Sequence, residues 1–264
     1  MVEGFKNHSL YIKEEENTLL KINPAKMSLD DRLDTDKDPL PDPLPNSSFA
    51  MALVGSSGSG KTSLMSSIVT SNVKNGVRQS YRKLFSKIIL CSPTLASFKN
   101  DIWGKIPKSQ KFETFSLDFL EQVEEIAGEA WKENRQTLVI LDDIGATLKR
   151  DRKAETKLVS MLQNRRHIGL SVIMLIQKWR DLPTGVRANL TNVALFRPKN
   201  NLEKEAIFGE LLPMSKNKWD YIYDYVYNVG EDKYSFLFID MSLKQDSVYR
   251  YFKKFNRILL TEKD

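Results

Sequence analysis

Cysteine is almost missing from this chain, with one residue, Cys91, in 264. A lone thiol excludes an intrachain disulfide and fits a reducing compartment. Histidine is nearly as scarce: His8 and His167 are the two in the sequence. Two histidines and one cysteine cannot assemble a zinc site of the usual kind. Apolar runs are short, none reaching the ~18–20 residues of a membrane span. The opening "MVEGFKNHSLYIKEEENTLL" lacks a signal-peptide core, so the expectation is no membrane partner and no export. Positive charge, by contrast, is plentiful, with 40 Lys and Arg against 34 Asp and Glu and a net charge of +6. That balance leans toward a polyanionic partner. Denser basic groups stand at "KNGVRQSYRK", "LKRDRK", "NRRH" and "YRYFKKFNR". Most of them read as solvated helix faces and ends, leaving one or two to face nucleic acid.

The length suits one large α/β domain or two small ones. Residues 1–45 form a polar arm ending in "DPLPDPLP", where alternating proline forbids helix and favours an extended linker. Residues 46–240 change to short apolar runs alternating with helical stretches, and 241–264 read as a basic tail. Strands are expected at 49–54, 87–92, 137–143, 170–177, 192–197 and 234–240. Helices are expected from Lys61 to about Lys74, then at 116–133 behind a Ser116 cap, 155–167, 201–212 and 215–228. Continuous apolar strands alternating with helices imply an α/β fold, a mainly parallel sheet covered on both faces. In such sheets ligands bind at the carboxyl ends of the strands.

Directly after the first strand comes "GSSGSGKT", Gly55, Ser56, Ser57, Gly58, Ser59, Gly60, Lys61 and Thr62. It fits G-x-x-x-x-G-K-[ST], the P-loop of a nucleotide-binding three-layer fold. Its glycines let backbone N–H groups wrap phosphates at a helix N-terminus. Lys61 then reaches the β- and γ-phosphates of ATP, and the Thr62 hydroxyl binds Mg²⁺. "LVILDD" at 138–143 places Asp142 at a strand's carboxyl end, where it can hold Mg²⁺ through water. Asp143 either polarises the attacking water as general base or caps the next segment. Gln177 ends the apolar run "LSVIMLI", and a carboxamide at the rim of a core needs a partner. If strand four lies between the P-loop strand and the "LVILDD" strand, Gln177 sits beside the γ-phosphate. Otherwise it caps the strand against a loop.

Two other P-loop classes are weighed and set aside. "DDIG" (142–145) and "NKWD" (217–220) mimic a GTPase set, but "NKWD" runs into a helical stretch instead of following a buried strand. "LKRDRK" (148–153) could be a kinase lid, though its place just after the acid pair is unusual for one.

"GSSGSGKT", "LVILDDIG", "NRRHIGLSVIMLIQKWRDLP" and "VRANLTNVALF" together resemble the genome-packaging ATPases of large eukaryotic DNA viruses, the poxvirus type with its virophage and polinton relatives. These belong to the FtsK–HerA superfamily, and the resemblance covers roughly residues 48–200. It implies an ATP-driven homo-oligomeric ring, pentamer or hexamer, that threads double-stranded DNA into a preformed capsid at a vertex or portal-type protein. The host cytoplasm, in a virus factory, and the virion are the implied locations. By motif, Gly55–Thr62 bind phosphates, Asp142 helps hold Mg²⁺, Asp143 takes the catalytic carboxylate position and Gln177 the sensor position. Many members have Glu where this chain has Asp143. Arg166 best matches an arginine finger acting on a neighbour, with Arg165 and Arg187 as rivals and a helix-capping role as the alternative. His167 packs or caps the helix end. "SPTLASFKNDIWGK" and "GATLKRDRK" are the candidate DNA-facing loops. The alternatives are a cellular or plasmid DNA translocase or helicase, and a P-loop switch without turnover.

Overall fold

The alternation of Phe49, Met51 and Leu53 with Ala50, Ala52 and Val54 sends successive side chains into two separate apolar layers. A strand with both faces apolar has to be covered twice. The computed structural model describes residues 40–46, 48–70, 80–95, 104, 106–229, 232–244, 247 and 250–259. Among these, nine strands form one sheet in the order β3-β2-β4-β5-β1-β6-β7-β8-β9. They are β1 (Ala50–Val54), β2 (Lys87–Cys91), β3 (Lys111–Phe112), β4 (Thr137–Asp142), β5 (Leu170–Ile176), β6 (Asn192–Phe196), β7 (Phe236–Asp240), β8 (Tyr251–Lys253) and β9 (Asn256–Arg257). Strands β3 to β6 in that order are parallel, and β7, β8 and β9 pair antiparallel.

One face is covered by α2 (Leu117–Lys132), α4 (Arg152–Asn164), α6 (Asn201–Leu211) and α7 (Lys216–Tyr227). The other is covered by α1 (Lys61–Thr70), Tyr81, Phe85 and Leu44. Two short helices, α3 (Gly145–Arg150) and α5 (Thr184–Arg187), follow β4 and β5. Each fully buried Leu, Ile or Phe contributes about 1.5–3 kcal/mol of transfer energy. The sheet, buried on both faces, therefore supplies the main driving force. Ser116 caps α2 by accepting from the Phe119 N–H at 3.2 Å.

Three expectations change. Helix α4 starts at Arg152 and not near residue 155, because Asp151 accepts from the Lys153 and Ala154 N–H groups, each at 3.0 Å. "GATLKRDRK" is α3 plus the start of α4 and not an open loop. Residues 251–253 and 256–257, in the stretch read as a basic tail, extend the sheet as β8 and β9. The end of the expected linker also packs on the domain. The Leu44 N–H closes a turn onto the Pro41 carbonyl at 2.9 Å, Leu44 is buried, and Tyr81 Oη donates to the Pro45 carbonyl at 2.8 Å. The arm before residue 40, residues 71–79 and most of the candidate loop 92–105 lie outside the described residues.

Candidate nucleotide site at the carboxyl ends of the strands

Register makes the site. Leu175 of β5 pairs with Leu53 on one side and Asp142 on the other, so β1, β5 and β4 end level. The chain then leaves each strand under control of its neighbour. The Gly55 N–H donates to the Ile176 carbonyl at 3.0 Å and the Asp143 N–H to the Leu175 carbonyl at 3.1 Å. β5, counted as strand four from the sequence, does lie between the P-loop strand and the acidic strand.

Past β1 the loop turns through Gly58 at φ 74° and Gly60 at φ 103°, backbone conformations that glycine adopts without strain. Gly55 is required for another reason. A Cβ there would stand 2.7 Å from both Phe196 Cβ and Ser59 Oγ. Lys61 Nζ donates to the carbonyls of Gly55 (2.6 Å) and Ser56 (2.9 Å), bridging back across the loop. Burial lowers the Lys61 pKa; Asp142 and Asp143 oppose that shift and Lys199 adds to it. The lysine therefore shares an electrostatic environment with both acids. Ser59 Oγ is buried with no hydrogen-bond partner.

Asp142 is 8% exposed. Its pKa is raised by burial and by Asp143, while a hydrogen bond from Ser92 and the charge of Lys61 pull it back down. That bond runs from Ser92 Oγ to Asp142 Oδ2 at 3.1 Å, and Thr94 Oγ1 lies 3.0 Å from Ser92 Oγ. Asp143 is half-buried and sits at φ 53°, a left-handed conformation rare for a residue with a Cβ. Gln177 Nε2 donates to both of its oxygens, at 3.0 and 3.1 Å. The carboxamide at the strand tip thus has its partner, and that partner is the second acid.

The three arginines part company. Arg165 donates to the carbonyls of Ser48 (3.2 Å) and Leu162 (2.6 Å), closing the end of α4. Arg187 donates to Glu210 (2.8 Å) and the Leu182 carbonyl (2.6 Å), and its guanidinium lies 5.6 Å from the Trp179 ring centre. Arg166 is exposed on the 3₁₀ turn Arg165–Ile168, which precedes β5. It is therefore at the opposite end of the sheet from the P-loop, roughly 20 Å away at 3.3 Å per strand residue. There it lines a cleft of about 330 Å³ with Asp42, Asn192 and Asp240. "NKWD" falls on α7, with Asp220 paired to Lys204 at 2.5 Å.

Sequence reasoning missed Ser92, because its role exists only once β2 is known to pair with β4. It also missed Phe196, Tyr234 and Lys254, which line the other flank of the P-loop.

With β5 standing between them, the P-loop strand and the acidic strand have the layout of the P-loop NTPases that carry an inserted strand at that point. The fold also matches the DNA-packaging ATPase B204 from Sulfolobus turreted icosahedral virus, with TM-score 0.52 and 16% identity over 74% of this chain and 93% of that one. Within that class the family described as Poxvirus A32 protein matches residues 41–248, and the chain belongs to it. The DNA packaging protein OPG160 of vaccinia virus (strain Copenhagen) is 29% identical over 173 residues, 61% of this chain and 60% of the relative. The monkeypox virus protein of the same name is also 29% identical, over 61% of this chain and 54% of its own length. The chain thus aligns with about 60% of the length of its vaccinia relative.

Proposed function

We propose that the chain is an ATP-hydrolysing motor subunit that moves double-stranded DNA into a preformed capsid, working as a homo-oligomeric ring docked at a capsid vertex in the host cytoplasm. The observation that carries the chemistry is a P-loop whose Lys61 bridges back over its own carbonyls, beside level strand tips bearing an acid pair whose second member is held by Gln177. The DNA-packaging name of the relatives carries the substrate. The net charge of +6 suits phosphate-backbone contact without base reading.

In this reading the backbone N–H groups of Gly55–Thr62 wrap the phosphates, and Lys61 Nζ exchanges its loop carbonyls for phosphate oxygens. Asp143 accepts a proton from water as the water oxygen bonds to the γ-phosphorus. The bond to the β–γ bridging oxygen breaks, leaving ADP and phosphate. A carboxylate has about four acceptor sites, so the two bonds from Gln177 orient Asp143 without exhausting it.

Thr62 and Asp142 would hold Mg²⁺. Hard oxygen donors suit that ion, and a buried Asp142 with a raised pKa is a charge in want of a cation. Among the described residues no group of three His, Cys, Asp or Glu forms a protein-only cage. That agrees with a metal shared with nucleotide phosphates. When bound, Mg²⁺ neutralises charge on the β- and γ-phosphates.

The test is ATP turnover by the purified chain with and without double-stranded DNA. Lys61→Ala should lose at least about 10²-fold in turnover, the cost of one preorganised electrostatic contact. Wild-type turnover in that variant sinks the site. Turnover indifferent to DNA sinks the motor.

A further inference from the structure

The flank of the P-loop away from the acids carries a cleft that the phosphate chemistry leaves unused. It opens over Gly58–Leu64 and encloses about 650 Å³, a size typical of small-molecule sites. Its far wall comes from three separated places: Phe196 at the end of β6, Tyr234 and Phe236 at the start of β7, and Lys254 in the β8–β9 turn. Phe196 and Phe236 are buried with ring centres 5.4 Å apart, and Phe255 backs Phe236 at 5.4 Å. They make a rigid apolar floor.

Tyr234 differs from them. It is 48% exposed, yet it is not loose. Its Cδ1 stands 3.2 Å from where a Cβ on Gly60 would lie, so the ring rests against the loop. Its N–H donates to Asp232 Oδ1 at 2.9 Å, and the same carboxylate pairs with Lys254. The segment bearing the ring is thereby tied to the turn bearing the ammonium. The exposed Lys233 ammonium lies over the same ring, 4.8 Å from its centre. A half-exposed aromatic held against the loop is a stacking surface that a base reaches by displacing that lysine.

Strand order decides which part of a nucleotide can reach it. The acids and Gln177 lie on the β5 and β4 side of β1, and β6 and β7 lie on the other side. Phosphates seated in the loop with their reacting end toward Asp143 must send the nucleoside end the opposite way. We propose that Tyr234, above the Phe196 and Phe236 floor and beside Lys254, is the base-stacking subsite for the purine of a nucleoside triphosphate. This rests on the P-loop reading above. Stacking measures ring area and not the pattern of groups along the base edge. The subsite therefore prefers purines to pyrimidines and barely separates ATP from GTP.

Calorimetric titration of the full chain with ATP, GTP, CTP and inorganic triphosphate tests this. ATP and GTP should bind within about threefold of each other, and both more tightly than CTP or triphosphate. Tyr234→Ala should weaken ATP about tenfold, the low end for loss of one stacked base, and leave triphosphate unchanged. Tyr234→Phe should keep wild-type affinity. Circular dichroism melts of both variants confirm folding. Equal losses of ATP and triphosphate in Tyr234→Ala, or no loss of ATP, overturn the subsite. So does a large preference for ATP over GTP. If triphosphate binds and the base adds nothing, the subsite alone falls. If neither ATP nor triphosphate binds the wild-type chain, the nucleotide reading falls with it.

Discussion

The two flanks of the P-loop are built on different principles. On one side stand Asp142, Asp143 and Gln177 at the level tips of parallel strands, with Gln177 donating to Asp143 at 3.0 and 3.1 Å and Ser92 to Asp142 at 3.1 Å. On the other stand Phe196, Tyr234, Phe236 and Lys254, gathered from β6 and the antiparallel edge, with the Phe196 and Phe236 rings packed together. In the reaction proposed above the acid flank acts through fixed charge, so that chemistry dictates each residue type. In the proposed subsite the aromatic flank acts through area, so several side chains from several segments could serve. Strain does not follow that division: each flank holds one side-chain-bearing residue in left-handed backbone, Asp143 at φ 53° and Lys254 at φ 55°.

The largest effect concerns a group the acid flank does not supply from its own chain. Arg165 and Arg187 are held in structural contacts, and Arg166 lies at the far end of β5. A neighbouring copy would have to bring it. Arg166→Ala should lower turnover by roughly 10³-fold, as loss of an arginine finger does. Mixing it with Asp143→Ala subunits should restore part of the activity; no rescue at any ratio removes Arg166 from the role. Next is Asp143→Asn, which keeps the shape but cannot take a proton. It should cost about 10²–10⁴ in kcat with ATP affinity little changed. A change confined to KM would move Asp143 out of the proton chemistry.

Ser92→Ala sharpens the acid flank further. Without its hydrogen bond, Asp142 loses the contact that holds the carboxylate and favours its charged form. About tenfold more Mg²⁺ should be needed for half-maximal activity, the usual cost of removing a partner behind a metal ligand. An unchanged magnesium requirement excludes that role.

The smallest effect is on stability. The Asp142 pKa is raised by burial, so the folded chain carries a penalty for the ionised group. The penalty is absent below the ordinary aspartate range and grows as pH rises through the raised value. Without Mg²⁺ at pH 7, Asp142→Asn should melt above the wild type, with the gap closing as pH falls through that window. A lower melting temperature at pH 7 shows that the attraction of Lys61 outweighs burial.

Much of the acid flank was legible before any fold was known. A phosphate-wrapping turn needs glycine, an ammonium and a hydroxyl in immediate succession. An acid for metal or water must stand at the end of an apolar run. Local rules of that kind survive as contiguous strings such as "GSSGSGKT" and "LVILDD". Gln177 was legible in part: its polarity at a strand tip demanded a partner, but the partner depended on strand order. Ser92 had no such signal, since a serine after "KIILC" is unremarkable until β2 is placed beside β4. The β8–β9 hairpin was hidden for a related reason. Its five paired residues lie in a basic stretch, and they are stable only as the edge of an existing sheet.

The sequence by itself determined that this chain folds as a mainly parallel α/β sheet, carries a P-loop motif after its first strand and ends another strand in two acids. Periodicity and local chemistry act within a few residues, and those features need nothing more. Only the tertiary structure decided that β5 stands between these strands, that Gln177 meets Asp143, that Ser92 holds Asp142, and that Tyr234 and Lys254 close the opposite side of the loop. Each of those contacts joins residues 33 or more positions apart, and their proximity is set by sheet order and register, which no local pattern encodes.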